Sequence, residues 1–263
     1  MISDQAKFSS PQLFTSSQVL VHQVHEERIP REIERLRLAY PNLIKAIDLT
    51  NILWHNGTIT RYAEGKNQLV LLFKTSPTYT EMLQFYPIRN FASDRIKQWF
   101  APSEARATYL SIFKEMYGKT PNQVWNNLRL VRFMPKTLNL RLRFNKMNGA
   151  ADALEAVGRE LDRLPPNFRR YLVGSTTYIQ RSIRGTQLTS LHSLGIAIDL
   201  NPRFGNYWRW DVQATRQTNL RPQNRIPIEI VQIFETHGFL WGGRWYFYDT
   251  LHFEYRPELF INP

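Results

Sequence analysis

The stretch SLHSLGIAIDLNP, residues 190–202, places His192 and Asp199 seven positions apart in a segment of small and apolar residues. In a β-strand successive side chains point to opposite faces, so Ala197 and Asp199 share one face and the bulkier apolar residues share the other. Asp199 therefore lies on the face with the least bulk, where a bound ion has room. The stretch predicts a buried strand that carries one metal ligand and begins close to another.

A second stretch, WGGRWYFYDTLHFEY at residues 241–255, holds another histidine and two carboxylates among aromatic residues. His252 and Glu254 lie two positions apart and share a face of the predicted strand. Asp249 lies three positions before His252, which places it on the opposite face of a regular strand. Asp249 and His252 reach the same site only if the chain bends at DTLH or the strand begins there.

The chain contains no cysteine, so a tight metal site has to be built from histidine and carboxylate side chains. A catalytic zinc ion takes about three protein ligands and leaves one position open. We predict that His192, Asp199 and His252 meet around one metal ion. Asp249 is then the base that accepts a proton from the attacking water. Glu254 either orients an imidazole or is a surface or salt-bridged carboxylate, and the sequence leaves both alternatives open.

The formal net charge of the 263 residues is +12. Such an excess attracts polyanions in general, including nucleic acids and the anionic polymers of cell walls, without choosing among them. No familiar nucleic-acid motif and no dense basic helix face is present, so no specific nucleic-acid partner is predicted. The apolar runs fall far short of the roughly 18 residues that cross a bilayer, so no membrane span is expected. Residues 1–28 show no secretory signal pattern.

Turn residues and apolar spacing predict an α+β chain with helices flanking a small antiparallel sheet. Asn56-Gly57 predicts the tight turn of a hairpin, because this pair readily adopts positive φ angles. Leu154, Val157 and Leu161 recur at helical spacing and predict a helix with one buried face. The predicted helices are 29–41, 102–119, 148–165 and 225–239; the predicted strands are 129–135, 137–145, 174–181, 195–201 and 244–255, besides the hairpin at 51–64.

The first stretch also carries a family signature. Ser190, His192, Gly195, Ala197 and Asp199 match the Ser-x-His-x-x-Gly-x-Ala-x-Asp signature of zinc D-alanyl-D-alanine peptidases, and DTLHFEY resembles their second signature. That family includes VanY-type carboxypeptidases and the L-alanyl-D-glutamate peptidases of phage endolysins, and it shares a fold with hedgehog signalling domains. The resemblance implies a hedgehog/D,D-peptidase-like fold.

The resemblance covers roughly residues 125–263, which we interpret as a zinc peptidase domain. Residues 1–124 are then an N-terminal helical and hairpin extension of unknown role. In this interpretation the domain boundary lies near residue 125, although no flexible linker marks it.

The resemblance implies zinc as the cofactor, bound by the two histidines and the aspartate named above, with Asp249 as the catalytic base. It further implies that Arg181, in QRSIRGT, steadies the substrate carbonyl oxygen as it becomes negative, with Arg184 as the alternative. A fixed guanidinium opposite a developing negative charge suits that task. Many carboxypeptidase members carry glutamate at the position of Asp249, whereas aspartate is closer to the endolysin type, so the bond that is cleaved stays open.

Ser190 and three aromatic residues are further candidates for contact with substrate. Ser190 either hydrogen-bonds the substrate or fixes the loop that carries His192. Trp241, Trp245 and Tyr246 either line the cleft or belong mainly to the core.

The function that the resemblance implies is zinc-dependent hydrolysis of a D-amino-acid-containing peptide bond in peptidoglycan stem peptides. The enzyme is then a metallopeptidase, either a D-alanyl-D-alanine carboxypeptidase or an L-alanyl-D-glutamate endopeptidase. Its partners are peptidoglycan or muropeptides, and this substrate class predicts a periplasmic or secreted protein. The alternative is a non-catalytic cell-wall-binding protein on the same fold that holds anionic polymer with its basic surface.

Overall fold

The structure is a computed structural model that describes residues 31–62, 103–182, 189–215, 224–245 and 248–261. The predictions for Arg184, for Tyr246 and for residues 1–28 lie outside these ranges. The described helices are α1 (Arg31–Ala39), α2 (Ser103–Tyr117), α3 (Pro121–Asn127), α4 (Ala150–Leu161), α5 (Trp208–Thr215) and α6 (Ile228–Thr236). The described strands are β1 (Ile44–Ile47), β2 (Asn51–Trp54), β3 (Ile59–Arg61), β4 (Leu128–Phe133), β5 (Leu140–Asn145), β6 (Ala197–Asp199), β7 (Phe239–Trp241) and β8 (His252–Tyr255).

The described strands form three small antiparallel sheets. Their orders are β1-β2-β3, β4-β5 and β6-β8-β7. The hairpin predicted around Asn56-Gly57 joins β2 to β3, and Gly57 has the positive φ of 83° that the turn requires. The predicted α+β class, with helices flanking small antiparallel sheets, is confirmed and is consistent with a hedgehog/D,D-peptidase-like fold.

One apolar core runs through the described parts of the chain. Leu36 of α1 and Phe113 of α2 belong to the same buried cluster as Phe133, Leu154 and Phe253. Leu154 lies on the predicted apolar face of α4, together with the other residues of that stripe. The N-terminal segment and residues after 125 thus pack on a shared core, and the predicted boundary near residue 125 falls inside α3. That boundary stays a prediction.

Two predicted strands differ from the structure. Residues 174–181 form no continuous strand and pair only through an isolated bridge between Thr176 and Asp199. Of the described residues within 244–255, only His252–Tyr255 form a strand. A 3-10 helix occupies Gly242–Arg244, and the chain turns at Asp249 just before the strand. Helices α3 and α5 and strands β1 and β7 are additions to the predicted set.

Among the described helices, none is both long and apolar enough to cross a lipid bilayer.

Candidate metal centre and active site

The register of β6 and β8 brings the two sequence stretches together. Asp199 lies directly opposite His252, and Ala197 lies opposite Glu254. Side chains of directly opposed residues in an antiparallel pair project from the same face with their Cβ atoms about 4.5–5.5 Å apart. Asp199 and His252 are therefore neighbours by register, and the small Ala197 leaves space beside Glu254.

His192 reaches the same place from a short 3-10 helix, Leu191–Leu194. Ser190 caps this helix, since its side chain accepts a hydrogen bond from the backbone N–H of His192. Gly195 ends the helix with a φ of 69°, where a Cβ atom would also lie 2.4 Å from a methyl carbon of Leu128. Its carbonyl oxygen accepts from the backbone N–H of Asn145 in β5 at 2.8 Å. The helix is thus fixed at both ends.

Three potential ligand atoms converge in the cluster His192–Asp199–His252. His192 Nε2 lies 3.1 Å and His252 Nδ1 lies 2.9 Å from Asp199 Oδ1, and the two nitrogens are 3.2 Å apart. A tetrahedral zinc site with bonds of about 2.0–2.1 Å has roughly 3.3–3.4 Å between neighbouring ligand atoms. The three atoms therefore form a slightly contracted face of such a tetrahedron, and the donor set fits zinc.

The second nitrogen of each imidazole is held by an acceptor. His192 Nδ1 lies 2.6 Å from the carbonyl oxygen of Thr177, and His252 Nε2 lies 3.3 Å from Glu254 Oε2. Because a carbonyl oxygen can only accept, His192 carries its proton on Nδ1 and presents the lone pair of Nε2 to the cluster. Glu254 favours the corresponding tautomer of His252. Such outer partners fix the orientation of metal-binding histidines.

Charge in the cluster favours a cation. Burial opposes ionisation of Asp199, but its hydrogen bonds with His192 and His252 hold the pKa of this carboxyl far below its ordinary range. Burial also disfavours the charged form of His252, yet its hydrogen bonds to Asp199 and Glu254 raise the pKa of this imidazole well above its ordinary value. The cluster thus favours a positive charge beside the Asp199 carboxylate. A bound metal ion would compete with the proton on His252 for this place.

Asp249 lies on the turn that precedes β8. The backbone N–H of His252 donates to the carbonyl oxygen of Asp249 at 3.1 Å, which is the bend at DTLH that the sequence requires. Thr250 anchors the turn, because its carbonyl oxygen accepts from the Trp241 indole at 2.8 Å and its backbone N–H donates to Asn206. These contacts fix the backbone from which the Asp249 carboxylate extends.

The carboxyl group of Asp249 is buried and incompletely satisfied. No donor in the described ranges reaches its Oδ1 atom. Burial is the main reason that the pKa of Asp249 is raised to about 7, with Asp199 adding to the rise and His252 and Arg181 opposing it. A carboxyl group with a pKa near neutrality and a vacant acceptor is suited to exchange protons with water.

Arg181 lies beside the cluster on a clamped backbone. Its N–H donates to Ser193 Oγ at 2.8 Å, and its carbonyl oxygen accepts from the backbone N–H of Ser190 at 3.1 Å. Its guanidinium lies 3.2 Å from Asp199 Oδ2, while 49% of the side chain is exposed. Arg181 therefore presents positive charge to the solvent side of the cluster, although the sequence resemblance alone assigned it there.

The remaining predicted residues divide between the site and the core. Ser190 caps the His192 helix, which is the loop-fixing alternative. Glu254 is buried, forms a salt bridge with Arg256 and contacts His252 with its other oxygen, so it is salt-bridged and also placed to orient the imidazole. The Trp245 ring lies 5.3 Å from the His252 ring and remains partly exposed. Trp241 is 1% exposed and its large ring packs beside Phe253, which favours the core alternative.

Three residues of the site escape sequence reasoning. Thr177 contributes only a backbone oxygen, for which no side-chain signal exists. Ser193 lies inside the first signature, and its hydroxyl holds both the N–H and the carbonyl oxygen of Arg181. Asn145 is fully buried and its amide donates to the carbonyl oxygens of Tyr117 and Leu194, which ties the His192 helix to α2. Each acts through contacts between segments distant in the chain.

The sequence that carries most of this site resembles a known family. Residues 184–255 match the D-alanyl-D-alanine carboxypeptidase family. The matched range contains both signature stretches with the three cluster residues and Asp249, and it begins after Arg181. No curated protein and no solved structure matches the chain. Over the matched range the chain is therefore similar to carboxypeptidase-like peptidases, and the choice between the VanY type and the endolysin type stays a prediction.

Proposed function

We propose that the chain is a zinc-dependent peptidase that hydrolyses a D-amino-acid-containing bond of peptidoglycan stem peptides. The observation that carries the proposal is the convergence of His192 Nε2, His252 Nδ1 and Asp199 Oδ1 within 3.2 Å of one another. The family match supports the peptidase class. The donor set of two imidazoles and one carboxylate, with Asp249 close by, supports zinc.

Zinc bound by these three side chains would supply Lewis acidity and make a water molecule nucleophilic near neutral pH. Asp249 accepts the proton that this water loses, since its Oδ1 is a vacant acceptor in a buried environment. After attack, the same carboxyl group returns the proton to the leaving amine. One residue thus serves as base and then as acid, which suits a pKa near 7.

Arg181 faces the carbonyl oxygen of the substrate as negative charge develops on it. Its clamped backbone fixes the point from which this side chain extends toward the cluster, which favours a preorganised positive charge. In the free protein this guanidinium lies near Asp199 Oδ2, and its half-exposed side chain leaves room to contact substrate. Trp245, packed against His252, supplies an apolar wall at the same edge.

The Ser193→Ala variant tests the clamp on Arg181. We expect turnover to fall about tenfold, because removing hydrogen bonds worth about 1 kcal/mol loosens the arginine without touching a ligand atom. Zinc content is expected to stay stoichiometric. Ser175→Ala is the matched control, since its buried hydroxyl donates to Leu172 instead. Equal losses in the two variants, or loss of zinc from Ser193→Ala, would contradict the clamp.

Digestion of defined muropeptides, followed by mass spectrometry, tests the function and separates the two candidate bonds. A carboxypeptidase releases terminal D-alanine, whereas an endopeptidase splits the stem between L-alanine and D-glutamate. We expect one of these products with zinc and neither after chelation and dialysis. Intact muropeptides in both samples would overturn the proposal.

The location of the protein is part of the same proposal. A substrate in the cell wall requires a periplasmic or secreted enzyme, and the net charge of +12 suits a matrix of anionic polymer. That charge also favours the second candidate, a non-catalytic cell-wall-binding protein. Release of material from purified sacculi separates the two, because a chelator abolishes release by a zinc peptidase and leaves simple electrostatic binding unchanged.

A further inference from the structure

A line of buried polar contacts leads away from His252. His252 Nε2 contacts Glu254 Oε2, and the other oxygen of Glu254 accepts from Arg256 at 2.7 Å. Arg256 Nε donates to Glu258 Oε1 at 2.5 Å, and Glu258 Oε2 accepts from the hydroxyl of Tyr40 at 2.7 Å. We call this line of contacts the relay; its members are His252, Glu254, Arg256, Glu258 and Tyr40. The two residues of its last contact, Glu258 and Tyr40, are 218 positions apart in the sequence.

The relay is shielded from solvent along its length. The side chain of Glu258 is fully buried, and those of Glu254 and Arg256 are 8% and 11% exposed. Two buried carboxylates on either side of one guanidinium are stable only while their hydrogen bonds persist. Each carboxylate uses one oxygen on Arg256 and offers the other to a different partner. The position of each member therefore constrains the next.

Tyr40 links this relay to the N-terminal segment. It directly follows α1, which packs against the 3-10 helix Pro257–Phe260 that carries Glu258. Burial, followed by the negative charge of Glu258, raises the pKa of Tyr40 well above its ordinary value. The hydroxyl thus stays protonated and donates to Glu258. The N-terminal segment thus contacts the relay through this hydrogen bond, in addition to its packing on the shared apolar core.

We propose that the N-terminal segment positions the metal ligand His252 through this relay, with Tyr40 as a remote positioning residue. The inference rests on the metal site of the proposed function. An imidazole held by one carboxylate can still tilt if that carboxylate rotates. Arg256 restrains Glu254, Glu258 restrains Arg256, and Tyr40 restrains Glu258. One role of the N-terminal extension is therefore to keep a zinc ligand in its binding orientation.

The Tyr40→Phe variant of the full chain tests the relay with the loss of a single oxygen atom. We expect its zinc dissociation constant, measured by competition with a chromophoric chelator, to rise at least about threefold. That is less than the roughly 10- to 100-fold change typical when a direct partner of a ligand is removed. Tyr62→Phe is the matched control, because this buried tyrosine lies in the same segment and donates to the backbone of Asp48. Its zinc affinity is expected to equal that of the wild type.

A double-variant cycle separates positioning from general destabilisation. Once Glu254→Gln has broken the first contact of the relay, adding Tyr40→Phe is expected to change zinc affinity no further. Thermal unfolding shows whether Tyr40→Phe and Tyr62→Phe remain folded to a similar degree. Equal zinc affinities for these two variants, or a full additional loss in the Glu254→Gln background, would overturn the inference.

The ring nitrogen shifts of His252 in the metal-free protein provide a readout that does not require zinc. Tyr40→Phe is expected to shift them and Tyr62→Phe to leave them unchanged; unshifted signals in both variants would also overturn the inference. Muropeptide digestion by the wild type is scored separately. A protein that binds zinc through the relay and cuts no muropeptide would refute the proposed function and leave the inference standing.

Discussion

Replacing Asp249 by asparagine is expected to lower turnover about 100- to 10,000-fold, the range over which general acid–base catalysis contributes. The amide has nearly the shape of the carboxyl group but cannot accept the proton of the attacking water. Zinc binding is expected to persist, because Asp249 is not among the three clustered ligand atoms. Steady-state kinetics on a muropeptide, together with elemental analysis of the purified variant, measures both effects.

The same substitution changes the dependence of kcat/KM on pH. Asp249 acts as a base only when deprotonated, and burial raises its pKa to about 7. Wild-type activity should therefore rise with pH through an acidic limb at or below about pH 7, since a bound cation lowers the pKa of a nearby carboxyl group. The residual activity of Asp249→Asn is expected to lack that limb.

Two further measurements complete this test. Asp249→Glu keeps a carboxylate at the position where many carboxypeptidase members carry glutamate, so it should retain far more turnover than the asparagine variant. Asp249→Asn should be at least as stable as the wild type, because a neutral amide replaces a buried carboxyl group with an unsatisfied oxygen. Near-normal turnover of Asp249→Asn with zinc present would remove Asp249 from the role of base.

The centre of the site could be predicted because its residues lie in strongly patterned local sequence. Alternation in residues 195–201 places Asp199 on the face with little bulk, and the register of β6 with β8 sets it opposite His252. The bend at DTLH follows from the requirement that Asp249 and His252 face one site. Local spacing and the strand period thus carry real information about where these side chains meet.

Other parts of the site depend on contacts that no local pattern encodes. Residues 174–181 have the composition of a strand. However, the carbonyl oxygen of Thr177 contacts His192 Nδ1 and does not accept from the backbone of a neighbouring strand. The sequence leaves Trp241 open between the cleft and the core, and the packing of β7 places its indole in the core. The contact between Tyr40 and Glu258 joins residues that are 218 positions apart in the sequence. Tertiary packing decides each of these positions.

Replacing His192 or His252 by alanine is expected to abolish stoichiometric zinc binding. Either change leaves two of the three clustered ligand atoms, whereas zinc sites of this kind use about three protein ligands. His237→Ala is the control, because this histidine lies outside the cluster, near Glu160. Elemental analysis after dialysis should give one zinc per chain for the control and far less for the two cluster variants.

We expect the two histidine variants to lose zinc binding while they keep the fold. Thermal unfolding distinguishes loss of zinc binding from loss of the fold. Zinc at about 100 times its dissociation constant stabilises the wild type by roughly 2.7 kcal/mol, which raises its melting temperature. In a cluster variant that remains folded, added zinc should leave the melting temperature unchanged, and with a chelator its melting curve should still show one cooperative transition. If either variant retained one equivalent of zinc, the replaced histidine would be excluded as a ligand, because the site would hold its ion without that imidazole.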